Sequence, residues 1–550
     1  MICLLSMNFF FYQRQNDPRF AIEQPWIFGV WIALSLGAVV LWYLIKPKEL
    51  TYYLNLQRGV QIVILAWIIW ACISAVVFVL AWFPDPINFS DYSLRQRFVD
   101  WIFESISGFT TAWGSILPSV EVFPRSILMW RSMTHFIGWM GIVYMTITIL
   151  RSLWVNRSEV INAESEWPHI VRYDNDQEAI SSGYNFFKVY FMLTCILIVL
   201  LTISGWLFRI IPYEKWYDII FDAINYAFST MGTGWFGTYD TSAWLWVVQN
   251  NIYIIKWLQN TVSEWIIAFF MIFAGMNFGL RYELFFQKNR KLFIRNKELQ
   301  VFIWIIFVLT IGIVLDWKLD WTSFALFDLL RWAFFSVTSI ISTTWLANYD
   351  FSLRPSSAIW LLLIAYFTWS CVWSTAWWVK ILRLIVFVKY AWLQISNLVN
   401  DKPFHGINVD GVKYSVDASS IILLNIIIYF MLFLLWGVVL MEVNPIITLL
   451  DGTQIANNFT TSFGASIANL GNIWPTPTID NINLGPSGNY APLNSSAKLV
   501  LSILMLLGRV GVLSLLMLFM DYKAQQHIGH KIETVDYDEH NKEEVIHLRT

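Results

Sequence analysis

Apolar stretches of membrane-crossing length recur along the whole chain, and this recurrence limits the possible folds more than any other feature. The clearest cover residues 26–45, 60–83, 186–208, 301–315, 356–379, 420–441 and 499–520. A helix that crosses the hydrocarbon core needs about 20 mostly uncharged residues. Hydrophobic residues make up 57% of the chain and charged residues 13%, well below the quarter or so of charged residues in soluble domains. A soluble globular fold is therefore excluded, and the expected class is an all-α polytopic membrane protein. The formal net charge is −2, and no basic patch is interleaved with exposed aromatics, so no nucleic-acid partner is expected.

The sulfur and imidazole inventory adds little chemistry. Cys3, Cys72, Cys195 and Cys371 are widely scattered without CxxC spacing and read as buried apolar filler, not as metal ligands or disulfides. His527, His530, His540 and His547 stand in a polar tail without paired-ligand spacing and read as solvated. The short apolar stretch Ile2 to Tyr12, with Arg14 behind it, lacks a small-residue cleavage site, so no signal peptide is expected.

Between the long apolar runs lie four segments that each end in a cluster of Thr, Ser, Asn and Gly. The clusters are SGFTTAWGS (107–115), STMGTGWFGT (229–238), SIISTTWLANYD (339–350) and ASIANLGNIWP (465–475). Each follows an amphipathic half-length stretch, Phe98 to Ile106, Trp216 to Phe228, Leu326 to Val337 and Ile455 to Gly464, and each precedes a long apolar run. The tryptophans at 113, 235, 345 and 474 are spaced by 122, 110 and 129 residues, which is an internal repeat. Non-helical backbone at membrane depth survives only where it is buried in protein or lines a watery cavity. Four half-helices pointing their C-termini at one axis would present four negative dipole ends, and the carbonyls that follow could replace the hydration shell of a cation. The alternative is four ordinary polar extracellular loops, which the matched positions disfavour.

Loop charge supports one orientation. Lys46, Lys48 and Arg58, then Arg281, Lys288, Arg290, Lys291, Arg295 and Lys297, then Lys380, Arg383, Lys389, Lys402 and Lys413 fall between spans on one side, opposite the four clusters. Cytoplasmic loops carry the Lys and Arg excess, so the clusters are expected to face outward. The expected organisation is an N-terminal segment with one extra helix (1–57), four repeats (58–155, 184–281, 298–393 and 417–521) and a polar cytosolic tail (522–550).

The segments FESISGFTTAWGSIL (103–117), RSMTHFIGWMGIVYM (131–145), STTWLANYD (342–350), WSTAWWVKILRL (373–384), GPSGNYAPL (485–493) and SILMLLGRVG (502–511) carry a family likeness. The chain resembles the Trk/Ktr/HKT superfamily of cation transporters, specifically the membrane subunit of bacterial Trk potassium uptake (the TrkH family). The resemblance implies four repeats around a central pseudo-fourfold pore in the plasma (inner) membrane, conducting potassium as symporter or channel without covalent chemistry or a bound cofactor. It also implies a homodimer and a cytosolic nucleotide-binding regulatory subunit of the Trk-A type. Carried over by position, the ion-binding filter is Thr110, Thr111, Ala112 and Trp113; Thr233, Gly234 and Trp235; Thr343, Thr344 and Trp345; and Asn472, Ile473 and Trp474. The gate is Ser374, Thr375, Ala376, Trp377, Trp378 and Lys380, with Arg509 as a fixed intramembrane charge below the filter. A sodium or mixed-cation transporter of the same fold is the alternative.

The chain departs from the family pattern in one systematic way. Tryptophan stands where the family has glycine at all four filter positions, at Trp373, Trp377 and Trp378 in the gate, and at Trp139. A filter glycine permits φ > 0, whereas four indoles on one axis would plug a pore. The chain has 26 Gly and 32 Trp, against about 38 Gly expected at the usual roughly 7%. UGG and GGG differ by one base, and UGA is read as either residue in different genetic codes, so the reading is glycine codons translated as tryptophan. Genuine tryptophans would instead indicate a non-conducting membrane scaffold. Two further departures are the single convincing helix before the first repeat and Gly511, where the family usually has an acidic residue.

Overall fold

The computed structural model describes residues 56–81, 94–112, 114–117, 120, 123, 125–152, 176–208, 216–234, 236–239, 247–249, 252–254, 261–287, 290–320, 325–344, 346, 348, 361, 370–371, 380–400, 407–409, 412–414, 416–448, 453–472 and 489–510. The apolar run 26–45, most of 356–379 and the tail 522–550 lie outside the described residues. Fourteen α-helices are present among those described. Five of the long ones are α1 (Leu56–Ala81), α3 (Arg125–Ser152), α4 (Asp176–Leu207), α9 (Lys297–Asp320) and α12 (Val416–Val443). By length and composition Asn185–Leu207, Lys297–Lys318 and Ile422–Val443 can each cross a membrane. Their outward faces carry Phe191, Trp206, Trp304, Phe307, Met431 and Leu435 exposed, as lipid-facing surfaces require.

The four half-length stretches are helices: α2 (Leu94–Thr110), α5 (Trp216–Met231), α10 (Leu326–Ile341) and α13 (Phe459–Leu470). Each runs several residues further toward its polar cluster than amphipathicity alone predicts. The fourth also starts later, because residues 454–456 form a strand paired with 446–448. Asn458 then caps α13, its Oδ1 accepting from Thr461 N at 2.8 Å, which satisfies one of the orphan donors of the first turn.

A second helix follows each of three of these: α3 after α2, α6 (Thr261–Gly275) after α5, and α14 (Ser495–Val510) after α13. Each packs on the short helix of the next unit, α3 on α5 and α6 on α10, while α14 packs back on α2. The approach is closest at two glycines. A Cβ on Gly138 would stand 2.2 Å from Phe109 O, and one on Gly508 2.3 Å from Leu470 O, so only glycine lets the second helix pass the end of the short one.

One span is broken. After α6 the chain turns by 115° into α7 (Phe278–Tyr282) and a π-helical turn, Glu283–Gln287. Asn277 caps α7 by accepting from Gly279 N at 2.8 Å. The carbonyl of Gly275, released by the break, accepts from Cys371 N at 3.1 Å. The break thus has identifiable partners, as a sharp kink requires.

Several expectations need correction. Arg281 and Lys380, placed on a cytoplasmic surface by loop charge, are buried, because α7 folds back into the protein and Lys380 opens the next helix, α11 (Ile381–Asn400). Arg290, Lys291, Arg295 and Lys297, on α8 (Arg290–Arg295) and at the start of α9, are exposed. Of the cysteines, Cys371 is buried, but Cys72 and Cys195 are exposed on apolar helices, where lipid replaces protein as the apolar medium. Cys3 and the four tail histidines lie outside the described residues.

Substituting Gly508→Ala forces its methyl against the Leu470 carbonyl. Overpacking of this kind costs about 1–3 kcal/mol, so the thermal midpoint in detergent should fall, and an unchanged midpoint would contradict the close approach.

Candidate functional site

The four short helices end alike. Among the described residues the non-glycine residues with positive φ are Thr111 (51°), Thr233 (51°), Thr343 (57°) and Asn472 (48°), one after each of α2, α5, α10 and α13. The hydrogen bonds explain the geometry. Thr111 N donates to Gly108 O at 3.2 Å and Ala112 N to Ser107 O at 2.9 Å. Thr233 and Gly234 repeat this on Thr230 and Ser229, and Thr343 and Thr344 on Ile340 and Ser339. Asn472 N donates to Asn469 O at 3.2 Å. Paired bonds of this kind close a helix when the residue after its end turns left-handed, a place usually taken by glycine. A β-branched residue there is a genuine outlier, costing on the order of 1–3 kcal/mol at each end.

The chain after each end is held against the body of the protein. Ser229 Oγ donates to Phe236 O at 2.8 Å and Ser339 Oγ to Leu346 O at 2.7 Å. Ser132 Oγ on α3 also donates to Phe236 O, at 2.9 Å. After α2 the tie is ionic: Glu104 accepts from Ile116 N at 2.9 Å and Ser115 Oγ at 3.2 Å, and from Arg131 Nε at 2.7 Å. Arg131 in turn donates to Ser115 Oγ at 3.1 Å and lies 4.0 Å over the Phe236 ring. Elsewhere Tyr239 Oη donates to Asp222 at 2.7 Å, Asn348 Nδ2 to Glu264 at 2.9 Å, and Asn469 Nδ2 to Tyr490 Oη at 2.6 Å. Tyr490 N donates to Ser115 O at 2.8 Å, joining the last returning segment to the first.

His135 and Arg509 reach the helix ends from neighbouring helices. His135 is fully buried, its Nδ1 donating to Gly108 O at 2.7 Å while its ring stacks on Phe236 at 4.1 Å. Bonding a carbonyl fixes the proton on Nδ1. Arg509, buried on α14, donates to Thr111 Oγ1 at 3.1 Å.

Thr110, Thr111, Ala112, Thr233, Gly234, Thr343, Thr344 and Asn472 are all buried at these ends. Trp113, Trp235, Trp345, Ile473 and Trp474 lie outside the described residues, as do Trp373, Ser374, Thr375, Ala376, Trp377 and Trp378. Positive φ is found two residues before each tryptophan position, where helix termination demands it. Trp139 packs between the Tyr190 ring at 4.2 Å and the Phe278 ring at 4.5 Å, so an indole is accommodated there.

The base of the segment 370–380 is defined. Ile381 N donates to Ser370 O at 3.3 Å, Ser370 Oγ to Ile341 O at 2.8 Å, and Cys371 N to Gly275 O. Residues 370–371 and 380–381 therefore meet at the junction of the α10 end with the bend after α6, where Lys380 is buried. Sequence reasoning missed Glu104, Arg131 and His135. Ionisable residues inside apolar helical segments are the signal that could have found them.

A helical membrane domain with four buried helix ends rich in hydroxyls and amides has the build of a transport protein. A family model described as TrkH, cation transport protein, matches residues 23–530, and the chain belongs to that family. It is a multi-pass membrane cation-transport protein and not an enzyme. Among relatives, the Trk system potassium uptake protein TrkG of Escherichia coli K12 is 26% identical over 501 residues, covering 90% of this chain and 89% of its own. The Trk system potassium uptake protein TrkH of the same strain is 26% identical over 492 residues, with 89% coverage of both. The crystal structure of the potassium transporter TrkH from Vibrio parahaemolyticus shares the fold, with a TM-score of 0.69, 20% identity and coverage of 94% of this chain and 97% of that one.

Arg131→Ala strands the buried Glu104 carboxylate, at a cost of about 3–5 kcal/mol. Thermal unfolding in detergent should show a large destabilisation that Glu104→Leu with Arg131→Met largely reverses. Equal loss in the double variant would show that packing, not charge, is what matters.

Proposed function

We propose that the protein is the potassium-conducting subunit of an uptake system in the plasma (inner) membrane. The carrying observation is the recurrence of one left-handed helix end, at Thr111, Thr233, Thr343 and Asn472, in four segments of matched sequence. The packing of α14 back on α2 supports an arrangement of four repeats around a pseudo-fourfold axis, with the helix ends converging on it. Threonine hydroxyls and backbone carbonyls of residues 110–113, 233–235, 343–345 and 472–474 would then replace the water around a cation. Among the described residues the Thr343 hydroxyl is buried without a hydrogen-bond partner in the protein, which suits a ligand facing an ion. Potassium as cargo follows the names of the relatives.

Ser374, Thr375, Ala376, Trp377, Trp378 and Lys380 form the gate in this reading, in a segment whose two ends, at Ser370 and Ile381, are tied together beside the end of α10. Arg509 places a fixed charge beside Thr111, lowering the dwell of cations so that they leave. In the cell, residues 113, 235, 345 and 474 are glycine, together with the gate tryptophans, since indoles in a filter of backbone ligands exclude the ion. Peptide mass spectrometry across 107–117 and 339–350 of the native protein should give glycine masses. A version carrying Trp113→Gly, Trp235→Gly, Trp345→Gly, Trp474→Gly and the matching gate changes should restore potassium uptake to a transport-deficient host. Tryptophan masses would leave a non-conducting scaffold, and sodium uptake in preference to potassium would make it a sodium transporter.

The working assembly is a homodimer that docks a cytosolic nucleotide-binding subunit of the Trk-A type. The exposed Arg290, Lys291, Arg295 and Lys297 supply a basic surface for an acidic partner. Affinity capture from native membranes should recover a soluble nucleotide-binding protein, and Arg290→Glu with Lys291→Glu should weaken that capture. Recovery of none would count against the assembly.

A further inference from the structure

Among the described residues three ion pairs join helices of different repeats, and they follow one rule. Arg125, the first residue of α3, pairs with Asp218 in the first turn of α5. Glu264, in the first turn of α6, stands 3.6 Å from Arg331 on α10. Lys498, in the opening turn of α14, pairs with Asp100 on α2 at 2.7 Å. In each case the second helix of one repeat grips the short helix of the next, and the last pair returns to the first repeat. At the remaining junction, between the segment 356–379 and α13, most of the first segment lies outside the described residues. None of the six side chains is more than 16% exposed.

The polarity of the pairs is not uniform. The cation sits on the second helix in the first and last pairs, whereas Glu264 and Arg331 reverse it. Exchanging neighbours would set Arg331 against Arg125 or Lys498, so the signs discriminate against wrong packing. At the closing junction the grip has two rungs. Lys498 holds Asp100 in the outer half of α2, and Arg509 holds Thr111 just past its inner end. The rungs are the same eleven residues apart on both helices, so α14 and α2 run alongside one another in fixed register. A short helix is a stiff rod: moving its outer end re-aims the carbonyls at its inner end.

We propose that these inter-repeat ion pairs are positioning residues for ion selectivity, holding each short helix at the lateral position that sets the spacing of the filter carbonyls. This rests on the filter reading given above. None of the six is among the filter residues, so they act through the helices.

The test uses the full-length glycine version in proteoliposomes and reads the ratio of potassium to sodium uptake, with protein abundance matched. Asp100→Lys and Lys498→Asp alone should each lower the ratio on the order of tenfold, since each buries like charges together. The double exchange should return it to within about twofold. Asp100→Leu with Lys498→Met keeps the packing and is tolerated as an apolar replacement, so it should accumulate normally yet lose selectivity. If the single variants fail to accumulate, this apolar pair decides. An apolar pair with the parent's ratio, or a double exchange that restores nothing, overturns the proposal while the parent still conducts potassium. A parent that moves no cation overturns the transport reading and this proposal with it.

Discussion

A helix that stops inside a membrane leaves its last carbonyls without partners in a medium that offers none. Four short helices here end at buried positions, and all four ends share one backbone turn. The chain turns left-handed within two residues of the helix end, the amide of the turning residue folds back on a terminal carbonyl, and in the first three ends the next amide does so too. Three of the turning residues are threonine, so the conformation is strained, and a strained end persists only where its surroundings over-determine it. The rest of the domain can be understood as that over-determination.

The surroundings differ in chemistry while serving one purpose. A serine hydroxyl ties the returning chain to α5 and to α10, a carboxylate and guanidinium hold it after α2, and an amide and phenol hold it after α13. Glycines at 138 and 508 let neighbouring helices press directly on the helix ends. Divergent side chains on a recurrent backbone are what an ancient internal repetition leaves behind when geometry is constrained more tightly than chemistry.

Much of this was legible in the sequence. The half-length amphipathic stretches became α2, α5, α10 and α13, because apolar periodicity reports burial directly. Their ends were misjudged by several residues, since termination depends on the turn at Thr111 and its counterparts, which has no periodicity to read. The 115° break after α6 was not anticipated, because Gly275 looks tolerable in an apolar helix until Cys371 N is seen to take its carbonyl. Arg281 and Lys380 were placed on the surface by a rule that counts charges between spans and cannot see a chain folding back. The Glu104–Arg131 pair lay in plain view within two quoted motifs, but a sequence does not say which buried charges meet.

The doubly held carbonyl of Phe236 carries one more consequence. An amide oxygen offers two lone pairs, and here one receives the Ser132 hydroxyl and the other the Ser229 hydroxyl. Nothing is left with which that oxygen could grip a metal ion. In the filter proposed above, the coordinating stretch of the second repeat would therefore end before residue 236, and in the third the Leu346 carbonyl, turned toward Ser339, would stand at the matching position. The two hydroxyls would thereby limit the length of the proposed ion-lining column as well as fix its position.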